Sequence, residues 1–165
     1  PQPYAIIANI PYNITAPILK KMLAETSHKP DFALLMVQKE VADKICDSTK
    51  RSILSIAVEI FARPRKAFLV GREHFSPVPR VDSAMLRLDI RSEPLVPLSM
   101  EKDFFTVVNA GFSQKRKKLA NVLPGFFGLT KDQILGSLDG NRRPETLSIE
   151  EWIRLTRRFQ SQFAS

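Results

Sequence analysis

Hydrophobic and polar positions alternate along the chain in two different ways. Tyr4 to Ile10 (YAIIANI) is a short apolar run rich in β-formers that stops at Pro11. A run of this kind predicts a strand buried on both faces of a parallel sheet. Phe32 to Val37 (FALLMV) predicts a second buried strand, and Arg65 to Val70 a third. Ala84 to Ile90 (AMLRLDI) alternates with period two, placing Ala84, Leu86, Leu88 and Ile90 on one face of a fourth strand. Helices are expected between the strands. Thr15 to Ala24 reads as a helix with Thr15 as its cap and Pro17 in its first turn. Gln38 to Ile45 reads as a short helix, and Arg51 to Phe61 sets Ile53, Ile56, Ala57 and Ile60 on one amphipathic stripe.

The pattern changes after Arg91. Ser92 to Ser99 holds Pro94 and Pro97 and reads as a linker. Beyond it the periodicity is helical only: Lys102 to Phe112, Gln114 to Leu123, and Thr130 to Leu138. Thr130-Lys-Asp-Gln133 and Ser148-Ile-Glu-Glu151 are both capping boxes in sequence. The second opens a helix with Trp152, Leu155, Thr156, Phe159 and Phe163 at helical spacing, a stripe best read as core. The predicted organisation is therefore an α/β part, 1–91, a linker, 92–99, and an all-helical part, 100–165. The α/β part resembles half of a doubly wound sheet. A nucleotide-binding half normally carries a Gly-rich turn after its first strand. The six glycines of this chain form no such pattern.

Composition sharpens this picture. At 165 residues and 44% hydrophobic, the chain has enough apolar sequence for packed cores. No apolar run reaches the roughly 20 residues that span a bilayer, and Pro1 to Tyr4 has no signal-peptide character. Cys46 is the single cysteine, which excludes an intrachain disulfide and fits a reducing compartment. His28, His74 and Cys46 lack ligand-like spacing, so no metal site is expected. Lys and Arg number 25 against 17 Asp and Glu, a net charge of +8, with a sequence pI near 9.9. That balance favours a polyanionic partner such as nucleic acid. The densest basic run is Lys115-Arg116-Lys117-Lys118, and Arg142-Arg143 and Arg157-Arg158 add to it. Lys115, Arg116, Lys117, Lys118, Arg142 and Arg143 are the candidate RNA-binding residues, holding phosphates without reading sequence. A solvated helix face is the plain alternative.

The candidate chemistry lies in Asn9-Ile10-Pro11-Tyr12, at the carboxyl end of the first strand, where open α/β sheets bind ligands. The residue types suit work on an adenine amine. The N6 lone pair is delocalised into the ring, which makes the amine a poor nucleophile. The Asn9 side-chain oxygen and a nearby backbone carbonyl can accept its N–H bonds and turn its lone pair outward. Pro11 fixes the turn, and Tyr12 offers a face for stacking, worth roughly 1–3 kcal/mol per base. Taken alone, these four residues equally fit an ordinary strand-to-helix turn. Phe75-Ser-Pro-Val-Pro-Arg-Val-Asp-Ser83 adds a proline-stiffened segment presenting Phe75, a second surface for a flipped base.

Taken together, Asn9 to Tyr12, Gln38-Lys-Glu-Val41, Phe75 to Ser83, Ala110-Gly-Phe-Ser-Gln-Lys-Arg-Lys-Lys-Leu119 and Arg143-Pro-Glu-Thr-Leu-Ser148 resemble the ribosomal RNA adenine dimethyltransferase family in the same order. The resemblance spans nearly the whole chain. It implies a Rossmann-like methyltransferase sheet, in its C-terminal half, followed by a small helical rRNA-binding domain. It implies methyl transfer from S-adenosylmethionine to N6 of two adjacent adenosines near the 3′ end of small-subunit rRNA. Asn9, Ile10, Pro11, Tyr12 and Phe75 would be catalytic, with Asn9 and Pro11 also bordering the cofactor. The partners implied are small-subunit rRNA and the immature small subunit, in the cytoplasm, with a monomeric complete protein. The family's Gly-rich cofactor turn and ribose-binding acid have no counterpart among these residues. The chain is thus expected to be a fragment that binds S-adenosylmethionine poorly by itself. Two rival readings are a noncatalytic RNA-binding assembly or transcription factor with the same fold, and a large-subunit rRNA adenine methyltransferase. A DNA adenine methyltransferase fits less well, since Ile10 stands where that motif has its first proline.

Overall fold

The structure is a computed structural model that describes residues 2–114 and 116–163. It has two compact units. The first comprises Pro1–Ser48 and Leu54–Pro94, and the second Thr49–Ile53 and Leu95–Ser165. The short piece before residue 54 joins the helical unit through a backbone hydrogen bond, in which Arg51 donates to the Glu145 carbonyl at 2.8 Å.

The first unit is built on four strands, β1 (Ala5–Asn9), β2 (Phe32–Gln38), β3 (Ala62–Val70) and β4 (Ser83–Ile90), in spatial order β1-β2-β4-β3. β1 and β2 are parallel, whereas β4 runs antiparallel to both β2 and β3. The sheet is therefore mixed, with one reversed strand inside it. The alternation read from the sequence is visible in the pairing. Ala33 faces Leu88, Leu35 faces Leu86 and Val37 faces Ala84 across the ladder, and all six are essentially inaccessible to solvent. Burying each of the larger ones is worth roughly 1.5–3 kcal/mol.

Burial on both faces does not hold for β1 or β2. The alternate β2 positions Phe32, Leu34 and Met36 are only half-buried, and in β1 Ile7 is 72% exposed. Among the described strands β1 pairs with β2 alone. The half-open face of β2 and β4 carries charge instead. The Arg87 guanidinium lies over the Phe32 ring at 4.2 Å and bonds Asp89 at 2.7 Å. Burial pushes the Asp89 carboxyl up, but Arg87 and Arg65 outweigh it and hold it below its ordinary value.

The helices of this unit are α1 (Thr15–Lys20), α2 (Lys39–Cys46) and α3 (Ile53–Phe61). α1 ends early and continues as one π-helical turn, Lys21–Glu25. Thr15 does not cap it. Thr15 is its first helical residue, and its hydroxyl donates back to the Tyr12 carbonyl at 3.1 Å. Ile56 and Ile60 of α3 are buried as its stripe predicts, while Ile53 is 39% exposed.

The second unit contains α4 (Leu98–Phe112), α5 (Leu123–Phe127), α6 (Lys131–Leu135) and α7 (Ile149–Phe163). α4 begins inside the stretch read as a linker, because Pro97 serves as its N-cap residue and Val96 is already buried. The helix expected over Gln114 to Leu123 does not form. Among the described residues this stretch holds turns and a single 3-10 turn, Leu119–Asn121. The reason is long-range: the Leu119 and Ala120 amides donate to the carbonyls of Arg142 and Gly140, at 3.0 and 2.9 Å. A helix would need those amides for itself. Both capping boxes are present. Thr130 and Gln133 exchange bonds of 2.7 and 3.2 Å at the start of α6, and Ser148 and Glu151 bonds of 2.8 and 3.3 Å at the start of α7. The α7 stripe is core at Trp152, Leu155 and Thr156, but Phe163 at its end is 56% exposed.

Candidate active site and basic surface

The register of the sheet decides which segments meet. Asn9 closes β1 opposite Met36, and Gln38 closes β2 opposite Ser83, the first residue of β4. Ser83 also faces Val70, the last residue of β3. Three segments far apart in sequence thus emerge at one end of the sheet: Asn9 to Tyr12, the start of α2 at Lys39, and the loop from Gly71 to Asp82. This is the end where the carboxyl termini of β1, β2 and β3 lie, the usual ligand side of an α/β sheet.

Each member of the Asn9 segment has a distinct environment. Asn9 is exposed, and its side chain takes no hydrogen-bond partner among the described residues. Ile10 is 6% exposed and anchors the segment in the core. Pro11 has φ −58° and ψ 134°, an extended conformation in which its carbonyl accepts the Ile14 amide at 3.1 Å. That turn starts a 3-10 turn, Tyr12–Ile14, which leads into α1. Tyr12 is half-buried, and its hydroxyl shares a 2.7 Å hydrogen bond with Ser83 Oγ. Ser83 itself is fully buried. The bond ties the turn after β1 to the root of β4, across 71 positions of sequence. No local pattern announces it: Ser83 lies in the quoted motif, but its partner is chosen by the fold.

Phe75 is half-buried and follows a 3-10 turn, Arg72–His74. Its amide donates to the Arg72 carbonyl at 3.2 Å, and the Arg72 amide donates to the Asp82 carboxylate at 3.2 Å. Asp82 also offers its carbonyl to the Lys39 amide at 2.9 Å. Lys39, Glu40, Arg72, Arg80, Val81 and Asp82 line an open cavity of about 370 Å³ at this place. Lys39 is held charged: its hydrogen bond to Asp43, at 2.8 Å, raises its pKa above the ordinary lysine value. Asp43 is held below the usual carboxylate range by hydrogen bonds from Lys39 and Lys66. The single cysteine, Cys46, is pushed up by burial and lies outside this arrangement.

The basic residues singled out from sequence fall in the helical unit. Lys115 lies outside the described residues. Arg116, Lys117 and Lys118 follow the end of α4 in turns and are exposed, rather than spread around a helix. The pairing of Leu119 and Ala120 with Arg142 and Gly140 brings the two basic runs side by side. Gly140 permits this, since a Cβ there would stand 2.7 Å from the Cβ of Ala120. Arg143 is exposed, but Lys118 and Arg142 are partly engaged. Lys118 donates to the Asn141 side chain at 3.2 Å, and Arg142 binds the Glu151 carboxylate and the Thr146 carbonyl. Among the described residues no group of three His, Cys, Asp or Glu is placed to hold a metal ion. No helix among them is long and apolar enough to cross a membrane.

Comparison with known proteins is consistent across sequence and structure. Residues 1–161 match the family described as ribosomal RNA adenine dimethylase. A relative from Desulfitobacterium hafniense, the ribosomal RNA small subunit methyltransferase A, is 42% identical over 159 residues, covering 92% of this chain and 56% of its own length. A protein of the same name from Enterococcus faecalis is 40% identical over 165 residues, with 93% and 56% covered. The chain therefore spans about half the length of the curated relatives it matches. A dimethyladenosine transferase from Plasmodium falciparum superposes with a TM-score of 0.82 at 24% identity, over 99% of this chain and 69% of that one. The 23S rRNA methyltransferase ErmE gives a TM-score of 0.67 at 25% identity, over 96% and 66%.

Proposed function

The chain belongs to the ribosomal RNA adenine dimethylase family, and from that premise we propose that it carries the adenine-facing half of an rRNA adenine-N6 dimethyltransferase. The observation that carries the reading is the free Asn9 side chain, exposed at the carboxyl end of β1 on a turn anchored by Ile10 and by the Tyr12–Ser83 bond. The complete protein would act on two adjacent adenosines near the 3′ end of small-subunit rRNA, within the immature small subunit.

The chemistry asks little of acids and bases. S-adenosylmethionine, when bound, supplies a methyl group already activated by its sulfonium. The Asn9 amide fits the work beside it, because its oxygen is uncommitted and can accept an N6–H. The main-chain carbonyl of Ile10 or Pro11 would accept the second, leaving the amine lone pair facing outward, and the N6 proton lost on methylation would pass to water. Tyr12, fixed by Ser83, and Phe75, on its proline-stiffened loop, flank the extruded base. Positioning supplies the rate advantage, as expected where two reactants are held in attack geometry. Asn9 and Pro11 would border the cofactor. The Gly-rich part of the cofactor pocket has no counterpart among these residues.

The direct test is to join this chain to a family N-terminal half and assay methyl incorporation into immature small subunits. Two adjacent dimethylated adenosines near the rRNA 3′ end are the expected product. Methylation confined to large-subunit rRNA, or none despite native folding and cofactor binding, would overturn the reading.

A further inference from the structure

The helical unit holds a second concavity, of about 350 Å³, where residues 135–139 pass along α7. Its charged lining is four arginines, Arg142, Arg154, Arg157 and Arg158, against two carboxylates, Asp139 and Glu151. Both carboxylates are already engaged. Glu151 takes the Arg142 guanidinium and the Ser148 amide, and Asp139 accepts the Asn141 amide at 2.9 Å. Burial pushes the Glu151 carboxyl up, yet the Ser148 amide and Arg142 hold it below its ordinary value, so it stays charged and Arg142 stays fixed.

Arg158 is fixed too. Its guanidinium donates to the carbonyls of Asp132 and Gln133 within α6. Gly136 makes room for it. A Cβ at Gly136 would lie 2.5 Å from the guanidinium carbon, and the residue has φ +56°, which L side chains rarely adopt. Arg154 and Arg157 differ from these two. Both are exposed, and among the described residues no hydrogen bond or salt bridge occupies their guanidinium groups, while the charge of Arg154 helps to hold the nearby Glu150 and Glu151 carboxyls below their ordinary values. Standing three and four positions apart, Arg154, Arg157 and Arg158 share one face of α7.

We propose that this cavity is a phosphodiester-binding site for RNA, with Arg154 and Arg157 as the two guanidinium groups that clasp phosphate oxygens. Arg142 and Arg158 are positioning residues that add fixed positive charge behind them. Arginine presents a planar fork matched to phosphate, and anchored neighbours reduce the ordering needed on binding. The site contacts backbone and so sets orientation rather than base choice. It shifts the weight of RNA binding from Lys118 and Arg142, which have internal partners, to α7, where the sequence shows the Arg157-Arg158 pair but Arg154 stands outside any basic run. The choice of RNA rests on the reading that the protein acts on rRNA.

The test uses this chain and a fluorescein-labelled RNA hairpin from the 3′ end of small-subunit rRNA, with Kd followed by anisotropy across a salt series. R154A/R157A is expected to weaken binding about tenfold and lower the slope of log K against log salt by roughly 1.5, for two lost phosphate contacts. R154K/R157K should keep the slope and recover part of the affinity. Melting temperatures should stay at the parent value, and R154Q/R157Q serves as the neutral pair of similar length. Unchanged affinity and slope in both the alanine and glutamine pairs would overturn the site. So would saturable binding of inorganic pyrophosphate at these arginines with RNA binding unaffected, which would make it a free-anion site. Loss of methyl transfer in the joined protein with this RNA binding intact would count against the proposed activity and leave the site standing.

Discussion

At the scale of single residues, hydroxyl and carboxylate contacts set the shape of the candidate site. The Tyr12–Ser83 bond joins a half-buried ring to a fully buried serine. Ser83→Ala should cost about 1 kcal/mol, the net worth of such a bond, and Tyr12→Phe somewhat more by leaving the fully buried Ser83 hydroxyl unpaired. Urea denaturation measures both. The Lys39–Asp43–Lys66 cluster gives a pH signature. Asp43 has a folded pKa below its unfolded one, so its stabilisation is present above about pH 4 and is lost as pH falls through the folded value. Lys39 is raised, so its share is present below about pH 10 and is lost as pH rises through its folded value. Asp43→Asn should therefore flatten the acid limb of the stability–pH curve, read by thermal melting between pH 2 and about pH 5. Asn9, Tyr12 and Phe75 were legible as candidates because motif and chemistry agree there. Ser83's role was not, because a hydrogen bond across 71 positions leaves no local trace.

Elements were legible where their own periodicity governs them. The four strands, α2, α3 and α7 lie within a few residues of where alternation and amphipathic stripes put them. The capping boxes at Thr130 and Ser148 form as written. Thr130→Ala should lower stability by about 1 kcal/mol, the usual worth of such a cap, seen as a shift in the denaturation midpoint. One failure comes from tertiary partners that outweigh local preference. The residues after Gln114 are drawn into pairing with Gly140 and Arg142 instead of a helix. β1 has the composition of a doubly covered strand, yet Ile7 is exposed. The reversed β4 was equally hidden, since strand direction is set by connections and partners rather than by the pattern within the strand.

For the molecule as a whole, charge and missing glycines point the same way. A net charge of +8 suits an RNA partner, and the helical unit gathers arginines around one cavity. The chain offers the carboxyl-end turn of a methyltransferase sheet without the Gly-rich turn expected of the cofactor pocket. Isothermal titration of the 165-residue chain with S-adenosylmethionine should therefore show no binding tighter than millimolar, whereas micromolar binding would mean that these residues suffice for the cofactor. The central claim concerns Asn9. The most direct measurement is single-turnover methyl transfer to immature small subunits by the chain joined to a family N-terminal half, comparing Asn9 with Asn9→Ala at saturating cofactor and RNA. The expected rate in the variant is at least a hundredfold lower, about 2.7 kcal/mol of transition-state stabilisation, with RNA and cofactor affinity little changed. A variant that methylates at the parent rate would contradict it.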